Sequence, residues 1–216
     1  MTFRETLAEQ RWDDHRYYHH SRINQSLHLV SALAFLSAYG LMFMRPGVAS
    51  LIGWLIAMPS RQIGHFFFEP KGYDAANQAS HEEKEAIKVG YNLRRKIILL
   101  SIWIVSPLLL AVDPTLWGLL TPRAGVMGVL ENISLMWLAI GIGAVVFRSI
   151  QLFVLRDVQA GMVWAVKILT DPFHDVKIYY RSPLHLMRGE LYDPIVPTAT
   201  AAADNEPVPS LAAPVA

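Results

Sequence analysis

Residues 17–44 read YYHHSRINQSLHLVSALAFLSAYGLMFM, and the two ends of this run have opposite characters. Ser26 to Met44 carries no formal charge over nineteen residues, close to the roughly 20 residues that cross a bilayer core of about 30 Å. Tyr17 to His28 instead places His19, His20, Asn24 and His28 at the edge of that apolar block or inside it. An unpartnered polar group costs several kcal/mol in such surroundings, so these side chains need a purpose. The stretch therefore reads as the first crossing of a membrane protein with a polar site at its rim.

Other blocks extend the pattern. Ile97 to Val112 is uncharged over sixteen residues and Ile133 to Phe147 over fifteen, the latter continuing past Arg148 from Ser149 to Leu155. Pro46 to Phe68 is interrupted only by Arg61 and His65. The expected fold is all-α and polytopic, with about four transmembrane helices near residues 23–44, 48–68, 97–112 and 133–155. Residues 1–22 read as an N-terminal interfacial segment and 23–155 as the four-helix membrane domain. A cytoplasmic loop spans 69–96, a C-terminal interfacial segment 156–196, and a disordered tail 197–216. Lys and Arg concentrate in the N-terminal segment, the 69–96 loop and the region after Arg156, while the opposite connections offer only Arg45 and Arg123. The positive-inside rule then puts both termini and the central loop in the cytoplasm of a bacterial inner membrane or an ER-type membrane.

Composition excludes several classes. A net charge of +1 with no basic aromatic face argues against nucleic acid as a partner. The chain has no cysteine, which removes disulfides, thiolate-ligated clusters and thiol catalysis. The first 25 residues lack the short apolar core of a cleavable signal, so the first membrane helix is expected to direct its own insertion.

Helical spacing sorts the candidate site residues. His20, Asn24 and His28 lie at i, i+4, i+8 and share one face of a continuous helix. His19 is nine residues before His28, about 180° away on an ideal helix, and shares a metal with it only if the chain bends near Ser21-Arg22-Ile23. Arg61, His65 and Glu69 form a second such stripe. Gly64 removes a side chain beside His65 so that another helix can approach, and Pro59 should distort the return helix just before the stripe. Imidazole suits iron, zinc and copper alike, so ligand type does not choose the metal. Glu69 has three options: to coordinate, to accept a hydrogen bond from a ligand imidazole, or to pair with Arg61 or Lys71. Asn24 suits orienting a ring or satisfying a backbone group, and Arg148 either holds a substrate carboxylate or snorkels to the interface. His15 fits the headgroup level and His81 a solvated helix start, while His174 and His185 join the site only if the C-terminal segment folds over its mouth.

The motifs YYHHSRINQSLH and RQIGHFFFE resemble the patterns Tyr-x-His-x-x-x-x-Asn-x-x-x-His and Gln-x-x-Gly-His-x-x-Phe-Glu of the small membrane-bound 2-hydroxy fatty acid dioxygenases. The matching positions are Tyr17, His19, Asn24, His28, Gly64, His65, Phe68 and Glu69, with the family's glutamine falling on Arg61. The resemblance covers Tyr17 to Pro70, about a quarter of the chain. It implies that His19, His28 and His65, with His20 in reserve, hold an Fe(II) that activates O₂. It further implies catalytic contributions from Glu69, Asn24 and Arg61, a lipid or fatty acyl substrate drawn from the bilayer, and a product one carbon shorter. After Glu69 the chain departs from the pattern, and DPFHDVKIYYRSP has no placed counterpart. Two other functions fit the same residues: a histidine-rich di-iron lipid hydroxylase or desaturase, and a non-enzymatic membrane scaffold or lipid-binding protein.

Overall fold

The computed structural model describes residues 1–69, 72–74, 77–89 and 93–194, and the tail expected to be disordered lies outside them. Every named element among the described residues is helical. α1, Phe3–Tyr18, starts at a capping box in which the Thr2 hydroxyl accepts from the Glu5 amide while the Glu5 carboxylate accepts from the Thr2 amide. The chain breaks at His19 and restarts at Ser21, whose hydroxyl caps α2, Arg22–Leu41. α3, Pro46–Ile52, passes through a π-helical turn, Gly53–Ala57, into α4, Met58–Phe67. The distortion expected at Pro59 takes this form. The proline ring cannot coexist with the normal bond to the residue four back, and the widened turn just ahead of it relieves that conflict.

Ser80 and Glu83 form a second capping box at the start of α5, His81–Ile87. This helix stops at Ile87 rather than continuing into α6, Leu93–Val105. α7, Pro107–Val112, follows after a break at Ser106, and α8 runs Gly125–Leu155. The last crossing, expected from Ile133, thus begins eight residues earlier, and its 31 residues extend about 46 Å. α9, Val158–Tyr179, follows at once, capped by Asp157, and tolerates Pro172 in its interior. α10, Ser182–Met187, ends the described helices.

α2 is the central helix and packs against α3, α4, α9 and α10. Small residues make this possible: Ala32, Ala38, Ala49 and Ala57 are all buried. The segment after Arg156, read as lying along the membrane surface, contributes α9 to the interior against α2, α8 and α1. α6 is fastened to this core by tryptophans. The Trp54 and Trp103 rings stack with centroids 5.2 Å apart, Trp54 donates to the Trp137 carbonyl, and Trp137 donates to the Trp103 carbonyl.

Two stretches, Arg94–Val112 and Gly125–Leu155, are long and apolar enough to cross a membrane. Only 6% and 11% of their most apolar windows are buried within the protein. A core helix of a water-soluble domain would show the reverse, so these outward apolar surfaces point to a membrane location.

Candidate metal centre

The break between α1 and α2 creates the site. Because α1 ends at Tyr18 and α2 starts at Arg22, His19 folds back over the first turns of α2 instead of sitting on its far side. Asn24 Nδ2 donates to the Tyr18 carbonyl at 2.8 Å, and Gln25 Nε2 donates to the His19 carbonyl at 2.8 Å. These bonds satisfy the carbonyls that the broken helix leaves open. Gln25 is fixed in turn by Arg22, Ser182 and Asp193. The bend that spacing alone permitted thus falls at residues 19–21.

α4 then brings His65 to the same place. A Cβ on Gly64 would run into the Asn24 side chain and lie 3.5 Å from the His28 ring, so only glycine permits this approach. Ring centroids are 4.1 Å apart for His19 and His28, 4.9 Å for His28 and His65, and 5.3 Å for His19 and His65. One nitrogen from each of the three rings lies within 4.8 Å of the others. His19 and His28 are buried, and their Nε2 atoms have no hydrogen-bond partner. Buried polar atoms are ordinarily satisfied, so this donor set fits a metal ion. Burial pushes the His19 imidazole well below its ordinary pKa, with His28 adding to the effect, and the neutral ring is the form that ligates.

The surroundings orient the rings. His65 Nδ1 is 2.7 Å from Glu69 Oε2, an arrangement that holds the proton on Nδ1 and leaves Nε2 as the available ligand. Glu69 also accepts from Lys88 at 3.3 Å. Of its three options, Glu69 therefore takes the hydrogen bond from the imidazole, and Arg61 pairs elsewhere. His28 Nδ1 lies 3.5 Å from Asp175 Oδ2, close without being hydrogen-bonded. The Tyr179 ring packs beside His19 and His28, and its hydroxyl is 3.2 Å from His15 Nδ1. His15 thus has protein partners instead of the headgroup neighbours expected for it.

The remaining candidates sit apart. His20 faces Asp74 at 4.0 Å and is not in the cluster. Among the described residues His174 and His81 are likewise outside it, and His185 pairs with Glu190. Arg61 donates to Asp175 at 3.2 Å and lies 3.9 Å from Asp171. Arg148 donates to Gln151 and to the Val89 carbonyl, bracing α8 against the loop before α6.

Residues from α9 and α1 supply what sequence reasoning missed. Lys167 bonds Asp171 at 2.7 Å and pairs with Asp14, and Arg11 reaches Asp171 at 3.3 Å. Three cations, Arg11, Arg61 and Lys167, thus face three carboxylates, Asp14, Asp171 and Asp175, directly behind the imidazoles. Burial works against the Lys167 charge, but Asp14 and Asp171 outweigh it and its pKa is pushed up to about 12. Burial also opposes the Asp14 charge, yet Lys167 and His19 hold it below the usual carboxylate range. At Asp175 burial wins over the nearby Arg61 and pushes the carboxyl up. The signal for this network was present: Lys167, Asp171, Asp175 and Tyr179 recur every four residues, the same spacing that marked the other two stripes.

The triad borders a cavity of about 230 Å³ through His65, with Arg61 and Gln62 beside it. Trp54, Met58, Leu99, Leu100, Val145 and Ile168 make its apolar walls. No protein-family model matches the chain, and no similar curated protein or solved structure was found.

Proposed function

We propose that the protein is an Fe(II)-dependent dioxygenase that shortens 2-hydroxy fatty acids, or a related acyl lipid, by one carbon. One observation carries the reading: three buried imidazoles converge with unpartnered nitrogens, and one of them opens onto an apolar cavity. The motif resemblance supplies the reaction class. Overall, a 2-hydroxy acid and O₂ give the shortened acid, CO₂ and water, so atoms and electrons balance without another reductant. His19, His28 and His65 would hold the iron, which when bound supplies open positions for O₂ and the hydroxycarboxylate.

The chain's own residues prepare that site. Glu69 fixes the His65 tautomer and keeps its Nε2 turned inward. Asn24 and Gln25 hold the break from which His19 projects. Arg61 balances Asp175 behind His28, so its first duty is to keep that buried carboxylate compensated. The Tyr179 ring walls off the side of His19 and His28 opposite the cavity.

The topology belongs to the same proposal. α2 has 20 residues, about 30 Å, and the α3 to α4 hairpin partner has comparable reach, so both cross beside α6–α7 and α8. The basic segments then share the cytoplasmic side with the triad. The di-iron alternative gains no further ligands among the described residues, since His81, His174 and His185 lie outside the cluster. The test is metal analysis of detergent-purified protein, wild type against His65→Ala, with an assay of 2-hydroxy acyl substrates under O₂. Near-stoichiometric iron and turnover in the wild type, both lost in the variant, is the expected result. Iron-free wild-type protein, or activity that survives in His65→Ala, would end the proposal.

A further inference from the structure

The metal-side cavity has a neighbour. A second hollow of about 370 Å³ lies on the outer face of the α6–α8 pair, lined by Ile98, Ile102, Ile140, Gly143, Phe147 and, at one end, Arg95 and Gln151. Leu99 and Ala144 line both hollows. They therefore form the partition between the interior and the outer apolar surface, where Ile98, Ile102 and Phe147 are more than half exposed.

The two hollows are polarised alike. Along α6 the outer one runs from Arg95 to Ile98 and Ile102, and the inner one from Lys96 to Leu99 and Leu100. Lys88 and Arg61 add positive charge to the inner polar end, near His65. An amphiphile seated outside, with an anionic head at Arg95 and its tail along Ile98 and Ile102, keeps both environments if it slides inward past Leu99 and Ala144. Its head passes from Arg95 to the level of Lys96 and Lys88 without crossing the apolar layer. The partition is thin because Ala144 is small, and a Cβ at neighbouring Gly143 would meet nothing within 4 Å. Farther along α6, the stacked Trp103 and Trp54 rings hold the helix to the core, so the opening is bounded at that end.

We propose that the gap between α6 and α8 is a lateral portal for a single-chain lipid carrying a free carboxylate, with Leu99 and Ala144 as its gate. The inner volume falls below the roughly 300–1,000 Å³ of ordinary ligand pockets. One chain shared between the two hollows fits this arrangement, and a two-chain phospholipid does not. The inference rests on the acyl-lipid reading above and names the form and route of its substrate.

The experiment is photo-labelling of the full-length protein in lipid nanodiscs with 2-hydroxypalmitic acid bearing a diazirine at the tail end, followed by mapping of the adducts. In the wild type, adducts are expected on inner residues such as Met58 and Leu100 as well as on outer ones such as Ile102 and Phe147. Ala144→Phe should cut inner adducts at least tenfold and leave outer ones, whereas Leu99→Ala should raise the inner share. The methyl ester of the probe should label the inner hollow at least tenfold less. Unchanged inner labelling in both gate variants, or equal labelling by the ester, would overturn the proposal. Because Leu99→Ala acts in the opposite direction, a folding defect in Ala144→Phe does not decide the matter. Labelling needs no turnover, so the two readings fail separately. Metal-free protein that still labels both hollows sinks only the oxygenase. Active, iron-loaded protein without inner adducts sinks only the portal.

Discussion

The two halves of the molecule are built on opposite rules. Around α2, α4 and α9 the interior is polar: Asn24, Gln25, His28 and Ser31 are fully buried, and Arg61, Lys167, Asp171 and Asp175 are matched in charge. Around α6 and α8 the interior is a hollow and the apolar side chains face outward. The first half depends on specific partners, because a buried charge without its counter-ion is expensive. The second depends on the surrounding medium, since side chains that face lipid exchange one apolar environment for another. A fold can thus keep a precise polar site inside a membrane-facing shell if the two requirements fall on different helices.

That contrast yields a graded set of expectations. The largest effect belongs to Arg61→Met, which strands Asp175 and Asp171. We expect a loss of about 3–5 kcal/mol in stability, measured by unfolding in detergent, with most of it recovered in the double variant Arg61→Met/Asp175→Leu. If the single variant unfolds like the wild type, the charge network is ornamental and the comparison breaks. Next comes Glu69→Gln, which keeps the shape beside His65 but weakens the hold on its Nδ1. Metal affinity should drop about 10- to 100-fold, read by competition with a chelator, while the helical fold persists. The smallest effect is expected in the other half: Phe147→Leu, on the outer face, should change stability by less than about 0.5 kcal/mol. A larger loss there would mean that the surface is covered by protein instead of lipid.

Legibility from sequence followed the same divide. Apolar blocks showed where the long helices lie, since a run without charge needs no partner to be recognised. The four-residue spacing of Arg61, His65 and Glu69 was readable because that helix is regular there, and Gly64 could be read as a point of close approach. His19 was harder. On an unbroken helix His20 shares a face with His28, and only the break that ends α1 at Tyr18 reverses their roles. Nothing local demanded it, because it is secured by Gln25, Ser182 and Asp193 from distant parts of the chain. α9 was obscured for a different reason. Its charged stripe and Pro172 suggested a surface segment, whereas the charges are buried against partners on α1 and α4 that no window along the sequence can contain.

The π turn at Gly53–Ala57 has a consequence for the genetics of this hairpin. Such a turn is equivalent to one residue inserted into an α-helix, and each residue advances the side chains by about 100°. Deleting Leu55 alone would let the helix rewind, swinging Gly64 and His65 away from α2 while leaving every motif intact in the written sequence.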